Sequence, residues 1–233
     1  MKLSRSKITL KEFVARYGQP YSTMLGIDLV SGKNEEIVKW FLASILYSKP
    51  IREDSATRTY RCFERHGVTS AKNIVDAGWD RLVGILDEGG YTRYDFSTAD
   101  KLLEVFGNLE RRYRGDLREL YEESTGGAEL EASLRKLGKG IGDTTVSIFL
   151  RDMRYVWRKA DPKPTPLVRT AMKKLHIRDL KEYAKKHRID IVRLETALLR
   201  YSKDFVKKSR ISRSMSEMWK MNRSGRRDYM VEP

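Results

Sequence analysis

The stretch Leu134 to Met153, LRKLGKGIGDTTVSIFLRDM, constrains this chain more than any other. Glycines at 138, 140 and 142 alternate over five residues. Such spacing lets a backbone turn sharply and leaves no Cβ to hold a ligand away. After the turn, Val146, Ile148, Phe149, Leu150 and Met153 recur at helical spacing and predict an apolar face. Asp143 is placed to cap that helix. A turn of this kind offers bare amides at a helix N-terminus, where a phosphate binds well. The same residues also read as a helix end followed by an ordinary loop.

Taken together, Leu134-x-x-Leu137, Gly140-Ile141-Gly142 and Thr145 resemble the helix-hairpin-helix of the base-excision DNA glycosylases of the endonuclease III superfamily. The likeness runs from about Asn34 to Ile177. It implies an all-α, two-lobed glycosylase-like fold. It also implies a hairpin of Gly138, Lys139, Gly140, Ile141 and Gly142, with Thr144 and Thr145, gripping a DNA phosphate, often beside a monovalent cation on hairpin carbonyls. In this family the loop corresponding to Ser48–Arg52 pushes a side chain into the base stack, which places Lys49 where many members have glutamine. The Gly-Tyr turn corresponds to Glu88–Tyr94. There Tyr91 and Tyr94 are candidates to stack on a base, and Arg93 to reach a phosphate or a flipped base. Arg169 and Lys173 are expected on the DNA backbone. Without DNA, the charges of the 48–52 loop read equally well as solvated, and the tyrosines as core edge.

The chemistry of that family does not carry over residue for residue. Bifunctional members use a lysine on the second hairpin helix as a Schiff-base nucleophile. The matching position here is Thr144, whose hydroxyl cannot form one. The family aspartate that stabilises the developing positive charge on the sugar falls on Pro164, or on Thr165 after a shift of one residue. Neither is a carboxylate. Asp161 is the nearest substitute, although Asp161-Pro162 is equally good turn chemistry. Asp143 and Asp152 are further candidates, the first more simply a cap and the second more simply part of a solvated face. Loss of hydrolysis with retention of DNA binding is the remaining explanation.

Charge supports a polyanionic partner. The net charge is +15, and Lys163 to Pro233 holds 20 Lys and Arg against 8 Asp and Glu, which is 12 of that excess. Nucleic acid ranks ahead of an acidic membrane, while a charged surface serving solubility or heat resistance is the bland alternative. The one cysteine, Cys62, excludes an internal disulfide and an iron–sulfur cluster, which needs about four thiolates; many relatives carry such a cluster. No apolar run spans a membrane, and MKLSRSKITLKEF has no secretory core. His66, His176 and His187 are scattered and make no zinc pattern, and no nucleophile elbow or P-loop occurs.

In chain order, Thr9 and Glu12 form a capping box before a short helix that ends at Gly18. An irregular connection is expected over 19–32. Helices are expected over 34–47, 54–65, 70–77, 80–86, from a Ser97–Asp100 cap to about Arg114, 116–123 and 128–137. Pro162, Pro164 and Pro166 force extended backbone, and Pro166 then opens a helix with Leu167, Ala171, Met172 and Leu175 inside. Three more helices are expected over 180–187, 190 to about 208, and near 215–221, followed by a flexible tail.

These readings define the expectations. One lobe comprises 1–33 with 154–233, and the other 34–153, with the hairpin at 134–153. The function expected by resemblance is a monofunctional DNA glycosylase of base excision repair, hydrolysing the N-glycosidic bond of a damaged or mismatched base flipped from duplex DNA. A non-catalytic duplex-DNA-binding protein is the alternative, and an RNA-binding module a weaker third. No cofactor and no metal are expected apart from the possible cation at the hairpin carbonyls. The partner is double-stranded DNA rather than a membrane, the chain a monomer, and the location cytoplasmic or nucleoid-associated.

Overall fold

The computed structural model describes residues 9–203. Its helices are α1 (Leu10–Tyr17), α2 (Tyr21–Met24), α3 (Asn34–Tyr47), α4 (Glu53–Arg65), α5 (Ala71–Glu88), α6 (Asp95–Tyr113), α7 (Leu117–Glu123), α8 (Gly127–Arg135), α9 (Asp143–Met153), α10 (Pro166–Lys174) and α11 (Leu180–His187), with a 3₁₀ turn at Leu29–Ser31. A further helical stretch occupies 191–203. No strand occurs among the described residues, so the fold is all-α. Among those residues no helix is long and apolar enough to cross a membrane. The short helix expected near 215–221 and the tail lie outside the described residues.

The chain divides into two compact units, Met1–Gln19 with Pro166–Pro233, and Pro20–Thr165. The sequence reading divided it after residues 33 and 153. Side-chain contacts account for the difference. Tyr21 packs its ring 4.9 Å from that of Tyr47. Ser22 bonds Asp152 through both its amide, at 3.2 Å, and its hydroxyl, at 2.8 Å. At the other end Trp157 stacks on Tyr121 at 4.8 Å and meets Phe149 edge-on at 5.5 Å. Residues 20–33 and 154–165 therefore fold with the middle helices.

Within Pro20–Thr165, α3 is the central helix. Ile37, Trp40, Phe41, Leu42, Ala43, Ile45 and Leu46 are all fully buried, because its second half is apolar on every side. Phe41 lies between Phe106 of α6, at 5.9 Å, and Phe149 of α9, at 5.0 Å. The Trp40 indole donates to the Phe149 carbonyl at 3.0 Å, so its one polar atom is satisfied inside the core. Asn34 bridges to the turn before α7, donating to Gly115 O at 2.8 Å and accepting from Leu117 N at 3.0 Å.

Local signals were overridden in several places. The 19–32 connection, expected to be irregular, contains α2 and the 3₁₀ turn, the latter capped by Asp28. By contrast, the two helices expected over 70–77 and 80–86 form as two pieces of α5, separated at Gly78, whose φ of 69° and ψ of 174° are not helical. Ser97 does not cap α6. That helix begins at Asp95, directly out of the turn closed by Tyr94 N–H to Tyr91 O at 2.8 Å. Asp100 turns instead to the Trp79 indole at 2.8 Å.

In the other unit, the Thr9–Glu12 capping box forms as read and α1 ends at Gly18. Arg200 donates to the Tyr17 carbonyl at 2.8 Å and the Gln19 carbonyl at 2.6 Å. Phe13 meets Tyr201 edge-on at 5.7 Å. α10 starts at Pro166, but its buried side is Val168, Ala171 and Met172, while Leu175 is exposed.

Candidate nucleic-acid interface

The turn between α8 and α9 is built by close contacts from α6. Val105 lies so near Gly138 that a methyl group there would sit 2.6 Å from the Val105 side chain. Gly140 holds φ at +91°, in the region that favours glycine, and a Cβ there would meet the Lys101 stem at 2.7 Å. Gly142 is different: it is extended, and no atom lies within 4 Å of a Cβ added there. Ile141 drops into the core at 4% exposure and donates its amide to Gly138 O at 3.2 Å, closing the turn. Val146, Ile148, Phe149, Leu150 and Met153 are buried as their spacing predicts.

Gly142, not Asp143, is the N-cap of α9, and no side chain caps the helix. Asp143 is its first residue, exposed, and its carboxylate accepts from Arg135 Nε at 3.1 Å. Thr144 is also exposed, whereas Thr145 is buried. The start of α9 thus faces outward with a bare glycine cap. Besides the Ile141 amide, a second turn amide is engaged: Lys139 N–H donates to the Glu104 carboxylate at 3.0 Å.

Several carbonyls of the turn are engaged as well. Asn108 Nδ2 donates to Leu137 O at 2.7 Å, and Arg112 approaches Lys136 O at 3.5 Å. Gly138 O holds the Ile141 amide at 3.2 Å. Gly140 O accepts from the Lys101 amine at 3.0 Å. The resemblance implies a monovalent cation on such carbonyls. At Gly140 O the place of such an ion is taken by the Lys101 ammonium. A second cation there would meet like charge at short range.

Lys101 is the residue that sequence reasoning missed. Its exposure is 8%, and it lies on the buried stripe of α6 between Thr98 and Leu102. A charged residue at helical spacing among Thr98, Leu102, Val105 and Leu109 was the available signal. Burial pushes its amine down to about 8, with the neighbouring Lys49 amine contributing further. Lys49 in turn lies 5.4 Å from the centre of the Tyr94 ring, and Arg93 lies 5.6 Å from it. Three of the expected contacts, Lys49, Arg93 and the Gly140 turn, are therefore linked through Tyr94 and Lys101.

Other candidates fall elsewhere. Tyr91 is a core residue at 1% exposure, its hydroxyl donating to Leu46 O at 2.6 Å, so its ring is not presented for stacking. Tyr94, half-buried beside it, is the tyrosine nearer the surface. Asp152 belongs to no solvated face: it is fully buried and bonded to Arg151 Nε at 2.7 Å as well as to Ser22. Asp161 is exposed on the proline loop. Arg154 holds that loop through Pro162 O at 2.9 Å. Ser147 reaches Lys163 O at 3.4 Å. Pro164 and Thr165 are half-buried on the same loop. Arg169 and Lys173 are both exposed on α10 of the other unit, one helical turn apart on one face.

No protein-family model matches the chain, and no curated protein and no solved structure matches it.

Proposed function

We propose that this protein is a duplex-DNA-binding protein of the two-lobed helix-hairpin-helix glycosylase type, acting as a monofunctional DNA glycosylase of base excision repair. The observation that carries this reading is the glycine turn feeding the uncapped, outward-facing start of α9. Anions are favoured at such an N-terminus because its N–H groups lack intrahelical acceptors. Lys49, Arg93 and Lys139 supply positive charge on the same unit, and the charge excess of the C-terminal third suits a phosphate backbone. Asp161 is the carboxylate we assign to stabilise the sugar cation, as the one nearest in sequence to Pro164 and Thr165, where the family aspartate falls.

The specific observation favouring a non-catalytic scaffold is the pair Thr144 and Pro164, at the positions where relatives place their lysine and aspartate. Single-turnover assays on duplexes with deaminated, oxidised, alkylated and mismatched bases decide between the two, with abasic sites revealed by alkali. Cleavage of one substrate, abolished by Asp161→Asn with binding intact, is the expected result. Tight binding across the panel without cleavage establishes the scaffold reading. Borohydride is expected to trap no adduct on abasic DNA through Thr144, which has no amine.

A further inference from the structure

We propose that the Lys101 ammonium is the hairpin's own resident cation, standing at the Gly140 carbonyl so that the turn holds its shape and its phosphate without any alkali-metal ion. The phosphate half of this inference rests on the DNA reading above; the cation half does not. Three features carry it. The Lys101 amine donates to Gly140 O at 3.0 Å from a stem that packs under the positive-φ glycine. The carbonyls of residues 136, 137 and 138 are engaged by Arg112, Asn108 and the Ile141 amide. Finally, the charge beside Lys101 from the neighbouring loop is a second cation, Lys49, while on its own helix Asp100 is bonded to the Trp79 indole and Glu104 to the Lys139 amide.

The arrangement makes physical sense as a tethered replacement. A metal ion must be recruited from solution and gives up its hydration on each binding event. An ammonium fixed to α6 needs no recruitment from solution and has three N–H donors to aim at oxygens. Burying it beside a second lysine is unfavourable in the free protein, and a phosphate arriving at the turn offsets that repulsion. The device therefore concentrates positive charge where an anion has to sit.

The test uses the full chain and a short fluorescent duplex. Affinity is measured in potassium, sodium and N-methylglucamine chloride at equal ionic strength. Melting without DNA is followed in the same three salts. Equal affinities and equal melting midpoints are expected for the wild type. Affinity at least about tenfold weaker in N-methylglucamine, or a melting midpoint raised specifically by potassium, overturns the proposal. Lys101→Met is expected to bind about tenfold more weakly in N-methylglucamine while Lys101→Arg stays near wild type. Wild-type affinity of Lys101→Met overturns the proposal. Should Lys101→Met fail to fold, the wild-type cation comparison and Lys101→Arg decide alone. Absence of duplex binding in every salt removes the DNA reading. The melting comparison then still supports or overturns the resident cation.

Discussion

Asp152 of α9 receives both the amide and the hydroxyl of Ser22, so one enclosed carboxylate ties the segment after Gln19 to the hairpin's second helix. Its other oxygen holds Arg151, whose guanidinium lies 5.1 Å from the centre of the Tyr21 ring. Asp152→Ala removes the carboxylate that holds the buried Arg151 Nε and the acceptor of the Ser22 amide and hydroxyl. A loss of about 3–5 kcal/mol is expected in urea unfolding. Ser22→Ala removes only the hydroxyl and is expected to cost about 1–2 kcal/mol, so a larger loss for Ser22→Ala than for Asp152→Ala refutes this account.

The glycines of the turn separate folding from binding. Gly138→Ala and Gly140→Ala are expected to destabilise the protein by about 1–3 kcal/mol, the first by collision with Val105 and the second by backbone strain and collision with Lys101. Gly142→Ala meets no atom and sits in extended backbone, so only the weaker N-cap preference of Ala should count and its loss of stability should be smaller than that of either other substitution. The same substitution places a methyl group at the cap of α9 and is expected to weaken duplex binding. Gly142→Ala with duplex binding unchanged would detach the turn from the phosphate.

Salt dependence tests the electrostatic part directly. Log K should fall linearly with log salt concentration, by about 0.9 for each phosphate neutralised. Replacing Lys49, Arg93, Arg169 or Lys173 singly by Ala should lower that slope by roughly one contact each, without changing base preference. A slope indifferent to all of these substitutions places the binding surface elsewhere.

Lys101 gives a pH dependence of defined sign. Its folded-state value near 8 lies below the ordinary 10.5, so between those limits the unfolded chain holds more protons than the folded one. Stability of the free protein should therefore rise with pH across that window, with the penalty fully present below about pH 8. Duplex affinity should move the other way, since raising the pH removes the ammonium facing the phosphate. Lys49 is the neighbour whose charge adds to the effect, so Lys49→Met should shift the midpoint of both curves upward. Curves for Lys101→Met as steep as the wild type would assign the titration to another group.

Much of the helical plan was legible because it depends on local chemistry. The Thr9–Glu12 box, the apolar second half of α3 and Pro166 at a helix start each work through neighbours in sequence. What could not be read depends on distant partners. Asp152 looks solvent-facing until Ser22, 130 residues earlier, is brought against it. Tyr91 looks like a surface aromatic until the Leu46 carbonyl captures its hydroxyl. Lys101 looks like one charge among many on a mixed helix, and only the packing of the 134–153 turn on α6 encloses it. Asp100, read as part of a cap, was drawn away by Trp79.

The pairing of α1 with the 191–203 helix has a consequence for how the chain is made. Arg200 reaches back to the carbonyl of Tyr17 across 183 residues. During synthesis Tyr17 emerges 183 residues ahead of Arg200. At roughly 5–20 residues per second, that interval is about 10–40 s. Pro20–Thr165 can complete its own core within it, while Phe13 and Val14 remain without the surface that buries them. Of the two units, the one holding both α1 and the 191–203 helix thus closes later, and the ribosome must extrude the whole of Pro20–Thr165 before it can.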